Sequence, residues 1–149
     1  MRLYFDTAYL GKCYWNEPDG KLVRTLAQES DGVYSSAICI AEMACLAHRK
    51  VRESPVTERD AVVRRDLFLD DVKTGVITAV PVTERLLLRV EMVTRGLPAS
   101  CYLRTVDALH LVTAVDAGFT EIWTNDRHML AAAAHFGLVG RSVSHSRKC

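Results

Sequence analysis

Thr105-Val106-Asp107-Ala108-Leu109-His110-Leu111-Val112-Thr113-Ala114-Val115-Asp116-Ala117, Gly118, then Glu121-Ile122-Trp123-Thr124 and Asn125-Asp126: this stretch holds a helix, its stop, a strand and an acid at the end of the strand. Apolar side chains recur at helical spacing from Thr105 to Ala117, and Gly118 is a natural terminator. Arg127 to Phe136 is alanine-rich and predicts a further helix ended by Gly137, after which Leu138-Val139 begins a last edge strand.

The same alternation runs back to the start of the chain. Leu3-Tyr4-Phe5 is a short apolar strand, Ala8 to Trp15 predicts a short helix, and Asn16 to Gly20 is a turn in which Asp19 can cap a helix from about Gly20 to Ser30. Val33 to Ser36 predicts a second strand, with Ser36 capping a helix through Ile40, Met43, Ala44 and Ala47. Thr57 opens a longer charged helix to Thr74, stopped by Gly75. Val76 to Val80 is β-branched and short, and Thr83-Glu84-Arg85 starts a helix that stops near Gly96-Leu97-Pro98. Strands alternating with helices imply right-handed crossovers, hence a three-layer α/β/α sandwich with a mainly parallel central sheet. In such sheets the working crevice lies beyond the carboxyl ends of the strands.

At 149 residues the chain has the size of one domain, expected over residues 1–141 with a polar C-terminal tail from Ser142 to Cys149. Its residues are 49% hydrophobic and 25% charged, the balance of a globular protein rather than a disordered one. The opening Met1-Arg2-Leu3-Tyr4-Phe5-Asp6 reaches charge too soon for a signal peptide, and no apolar run approaches the roughly 20 residues of a membrane span, so a cytoplasmic location is expected. The five cysteines, Cys13, Cys39, Cys45, Cys101 and Cys149, form no CxxC pair and read as reduced, with Cys149 an exposed bystander. A net charge of +1 decides nothing about nucleic acid, because an acidic site can cancel a basic rim.

Chemistry resides in four acids. Asp6 follows the first strand, Asp126 follows the Trp123 strand, Glu42 lies early in a helix and Asp107 at a helix start. Singly, Asp6 and Asp126 have plain readings as helix caps, Asp107 as a first-turn acid favoured by the helix dipole, and Glu42 as a solvated helix acid. Together they converge at the crevice, where carboxylates repel one another and lose hydration, so their pKa values should rise unless a cation neutralises them. Oxygen-only ligation suits Mg2+, with Mn2+ as substitute, and such a site suits phosphodiester hydrolysis.

Phe5-Asp6-Thr7, then Ser36 with Ala41-Glu42-Met43, then Thr105 to Ala114, then Thr124-Asn125-Asp126 resemble, in order and spacing over nearly the whole chain, a PIN domain of the VapC toxin type. The resemblance implies an endoribonuclease, a magnesium or manganese site from Asp6, Glu42, Asp107 and Asp126, support from Thr7, Ser36 and Asn125, structured RNA such as tRNA or rRNA as substrate, and a VapB-like antitoxin as partner. A PIN nuclease that processes RNA without being a toxin has the same chemistry, and a PIN-like module that binds without cutting is the reading from a different class. Two departures from the family pattern are Met129, which stands behind the charged Arg127-His128 where an apolar or aromatic residue often follows the acid, and Asp116, where a small or apolar residue is usual.

Other side chains receive blander readings. His110, flanked by Leu109 and Leu111, reads as structural and is left outside the site. Tyr9, Leu10, Tyr14 and Trp15 are expected to line a groove for an inhibitory partner peptide that pushes an arginine or lysine toward the acids. Arg49, Lys50, Arg52, Arg59, Arg64 and Arg65 suit RNA phosphates or a solvated face about equally. Leu86, Leu87, Leu88, Val90, Met92 and Val93 nearly encircle their helix, which predicts a homodimer.

Overall fold

A computed structural model of the chain describes residues 1–143. The elements run β1 (Arg2–Tyr4), α1 (Thr7–Gly11), α2 (Gly20–Gln28), β2 (Gly32–Ser36), α3 (Cys39–Glu53), α4 (Glu58–Thr74), β3 (Ile77–Val80), α5 (Glu84–Arg95), α6 (Thr105–Asp116), β4 (Glu121–Trp123), α7 (Arg127–Ala132), a 3-10 turn (Ala133–Phe136) and β5 (Val139–Arg141). β1, β2 and β3 form one parallel sheet with β2 central, and β4 pairs with β5, also in parallel. A single parallel bridge, Phe5 to Trp123, joins β1 to β4, giving the strand sequence β3-β2-β1-β4-β5.

The two-residue period of β1 divides the core. Leu3 and Phe5 point into a cluster with Tyr9, Leu10, Val23, Met43 and Phe68, whereas Tyr4 points into a second cluster with Leu86, Leu111, Ile122 and Met129. Helices α1 to α4 cover one face and α5 to α7 the other, the expected three layers. The charged α4 begins at Thr57, whose side chain accepts from Asp60 N, and stops where Gly75 takes the left-handed conformation that a side chain would resist. α6 is apolar nearly all round and accordingly buried from Asp107 to Ala114. Asp116, at its outer end, pairs with Arg85 and Arg89 at 2.6 and 3.5 Å.

Several local expectations are corrected. The first helix is shorter than Ala8 to Trp15: after Gly11, Lys12, Cys13 and Tyr14 donate to the carbonyls of Tyr9, Leu10 and Gly11, the tight i to i−3 pattern of a closing turn. Asp19 precedes α2 in a left-handed conformation and makes no side-chain cap. Ser36 does not cap α3 directly; its hydroxyl accepts from Ile38 N at 3.4 Å, one residue ahead of Cys39. The aromatic groove is absent, because Tyr9, Leu10, Tyr14 and Trp15 are 0, 0, 7 and 3% exposed and belong to the core. Of the expected tail, Ser142 is buried and Val143 N donates to the Tyr9 hydroxyl at 3.0 Å, while the rest, with Cys149, lies outside the described residues. Among the described residues Cys13, Cys39, Cys45 and Cys101 are free thiols. No helix among them is long and apolar enough to cross a membrane.

Candidate active site at the carboxyl ends of β1 and β4

The parallel register of β1 and β4, locked by the Phe5–Trp123 bridge and by Asp6 N donating to Trp123 O at 3.2 Å, sets the strand ends side by side. Asp6 leaves β1 there and caps α1, its Oδ1 accepting from Tyr9 N at 2.7 Å. Its Oδ2 accepts from the Thr124 hydroxyl at 2.5 Å, and that same hydroxyl oxygen accepts from Asp126 N at 3.0 Å. Asp126 Oδ1 in turn caps α7, taking His128 N and Met129 N at 2.8 and 3.1 Å. The capping reading of both acids therefore holds, and it leaves one oxygen of Asp126 turned outward. Only 4% of Asp6 is exposed. Burial raises its carboxyl above the usual range, against the charge of His110 and the Thr124 and Tyr9 hydrogen bonds, with the Glu42 charge adding to the rise.

Glu42 comes from the first turn of α3 and reaches the same place by another route. Thr7 Oγ1 donates to its Oε1 at 2.6 Å, and His110 Nε2 lies 3.0 Å from that oxygen and 3.1 Å from Thr7 Oγ1. The other ring nitrogen, Nδ1, faces the Tyr4 hydroxyl at 3.1 Å. Burial pushes the Tyr4 phenol well up, so it stays protonated beside Nδ1, and the two ring nitrogens of His110 are held between Tyr4 on one side and Glu42 with Thr7 on the other. Burial works to raise the Glu42 carboxyl too, but the bonds from His110 and Thr7 and the charges of His110 and Arg104 outweigh it and hold Glu42 below its ordinary range. The expected common rise is thereby corrected: Asp6 rises and Glu42 falls, since the hydrogen bonds and cations around Glu42 outweigh its burial and those around Asp6 do not.

Asp107 stands at the third position of α6 and accepts from the backbone N of Arg104 at 3.3 Å, half of a capping box. The guanidinium of Arg104 also returns to it, Nε to Oδ2 at 2.9 Å and Nη2 to Oδ1 at 3.4 Å, while Nη2 reaches Asp126 Oδ2 at 3.1 Å. One cation thus spans two of the four acids. Sequence reasoning missed Arg104 and set His110 aside. The adjacency of Arg104 to the Asp107 helix start and the one-turn spacing of His110 from Asp107 were the available signals. Of the supporting residues, Thr7 meets Glu42, Ser36 is turned to Ile38 N, and the Asn125 side-chain carbonyl accepts from the Ser142 hydroxyl.

A sequence model described as the PIN domain matches residues 3–135. The chain belongs to the PIN domain family. Solved structures with a similar fold are VapBC2 from Rickettsia felis bound to a promoter DNA fragment (TM-score 0.62, 15% identity, 95% of this chain and 98% of that one) and FitAB bound to the IR36 DNA fragment (TM-score 0.66, 18% identity, 95% and 94%). FitAcB from Neisseria gonorrhoeae is a third (TM-score 0.59, 15% identity, 94% and 96%). No curated protein is detectably similar in sequence.

The donor chemistry would suit a divalent cation, since the four acids offer hard oxygen ligands and Asp6 is buried with few cations about it. As placed, however, no group of three or more His, Cys, Asp or Glu side chains among the described residues is close enough to hold a metal ion. The Arg104 guanidinium lies between Asp107 and Asp126 instead.

Proposed function

We propose that this PIN domain is a divalent-metal-dependent endoribonuclease acting as the toxin of a toxin–antitoxin pair, with Mg2+ as the cofactor and Mn2+ as substitute. The observation that carries it is the approach of four acids from distant parts of the sequence at the carboxyl ends of β1 and β4: Asp6, Asp126 and Asp107 in one hydrogen-bond network through Thr124 and Arg104, and Glu42 in a neighbouring one through Thr7 and His110, the two coupled by charge. The metal, held by these four directly or through water, would supply an activated water and stabilise charge on the leaving oxygen of a phosphodiester. Thr7 and His110 fix the Glu42 carboxylate, and Thr124 couples the positions of Asp6 and Asp126.

Similarity to VapBC2 and the FitAB complexes supports a VapB-like antitoxin as partner, and structured RNA, tRNA or rRNA, is the substrate proposed for the site. Half of the basic stretch is occupied within the fold: Lys50 pairs with Glu17 at 2.8 Å, Arg52 with Glu53 at 2.6 Å, and Arg64 with the Tyr14 carbonyl. Arg49, Arg59 and Arg65 remain exposed for phosphate. Leu87, Leu88 and Met92 of α5 are 51, 62 and 64% exposed, an apolar face that suits the homodimer. The test of the central reading is cleavage of total RNA with Mg2+, Mn2+ or chelator. Metal-dependent cuts that vanish in Asp126→Asn support it, and intact RNA under every condition rejects it.

A further inference from the structure

We propose that Arg104 is a built-in counter-cation of the carboxylate site, occupying the ground between Asp107 and Asp126 until a divalent metal displaces it. The inference deepens the metal-nuclease reading and rests on it. It accounts for two facts together: four suitable acids converge, and yet no three of them stand close enough to hold a metal among the described residues.

The geometry is that of a fork. Arg104 places Nε and Nη2 on the two oxygens of Asp107 and shares Nη2 with Asp126, so one delocalised charge serves two carboxylates whose Cα atoms belong to different helices. Asp107 is 6% exposed but also accepts from the backbone N of Arg104, so it keeps a donor when the guanidinium moves away. The guanidinium, by contrast, sits 62% exposed at the start of α6, so it can swing into water without disturbing the core. A divalent ion brings twice the charge on a smaller radius and competes for the same oxygens, so it must break these contacts to bind Asp107 and Asp126 together. The consequence is a metal affinity lower than the acids alone would give, by an amount that salt reduces, since the opposing pair lies near solvent.

The experiment titrates Mn2+ alone into the chelator-treated full chain by calorimetry, comparing the parent with Arg104→Gln and Arg104→Lys, after cooperative melting has been checked for each. Arg104→Gln should bind Mn2+ about three- to tenfold tighter than the parent at low salt, as expected when one or two partly exposed ion pairs no longer oppose the metal. Arg104→Lys, which keeps the charge but loses the fork, should fall between them, and the spread should narrow at high salt. Equal or weaker binding by Arg104→Gln overturns the proposal. If that variant does not fold, binding by Arg104→Lys no tighter than the parent has the same force. A folded parent that takes up no Mn2+ removes the metal-site reading itself, a failure distinct from equal affinities.

Discussion

The two sides of the site are held by opposite means. On the inner side, Asp6 and Glu42 are fixed by hydrogen-bond donors that the fold cannot easily withdraw: the neutral Tyr9 N, Thr124 and Thr7, and a His110 ring held from its far side by Tyr4. On the outer side, Asp107 and Asp126 share one exposed guanidinium. Buried hydrogen bonds between neutral and ionised groups contribute more and yield less to salt than a surface ion pair does. The inner pair is therefore pre-organised, and the outer pair is adjustable.

The largest break in this contrast should come from Asp6→Asn, which keeps the cap to Tyr9 N through its amide oxygen. RNA cleavage should fall to background, while in chelator near neutral pH the variant should melt a few degrees higher than the parent, about the shift that 1 kcal/mol gives a domain of this size. The sign follows from linkage. Because the folded pKa of Asp6 is raised, its favourable contribution is present at low pH and is lost as pH rises through that folded pKa. The difference in melting temperature should therefore close on acidification, and a difference independent of pH would contradict the buried-charge account. Glu42 has the opposite sign: its folded pKa is lowered, so its contribution is present above the unfolded value and is lost as pH falls through the folded one.

Next in size, His110→Ala should destabilise the fold by about 2–4 kcal/mol, since it opens a cavity and strips Tyr4 of its partner. It should also lower cleavage about 10- to 100-fold through a loosened Glu42, the usual range for residues that orient a ligand. Denaturant melts and initial rates check both, and an unchanged rate would reduce His110 to packing. A Leu88→Glu exchange should leave the melting of a monomer nearly unaltered but convert the proposed dimer to monomer, as read by light scattering. Smallest of all, Arg104→Gln should change metal-free stability by less than about 1 kcal/mol, the ordinary worth of exposed pairs. A loss as large as that of His110→Ala would erase the contrast between the two sides.

The layers and most element ends were legible because alternation, β-branched runs and Gly stops are local signals: Thr57 to Gly75 and Thr83 to Gly96 were read almost to the residue. The end of α1 was not, because the apolar Leu10, Cys13, Tyr14 and Trp15 reflect packing against the core rather than helix. The same burial removed the aromatic groove, since a sequence shows that Tyr14 and Trp15 are apolar but not which neighbour claims them. The convergence of four acids could be read from strand ends. Their unequal surroundings could not, for Arg104 looks like any surface cation and His110 like any helical histidine until tertiary contacts bring Asp126 and Glu42 to them.

The hydrogen bond from Thr124 to Asp6 closes a chain separation of 118 residues, and β1 is the strand that links the two parallel sheets. Asp6 is thus synthesised well before β4, and the crevice cannot assemble until β4 and Thr124 to Asp126 have been made and have docked on β1. Contacts of such long sequence separation also form late and slowly in folding. The proposed nuclease crevice therefore depends on a contact that local folding around Asp6 cannot supply, and a chain in which β4 has not docked on β1 would lack it.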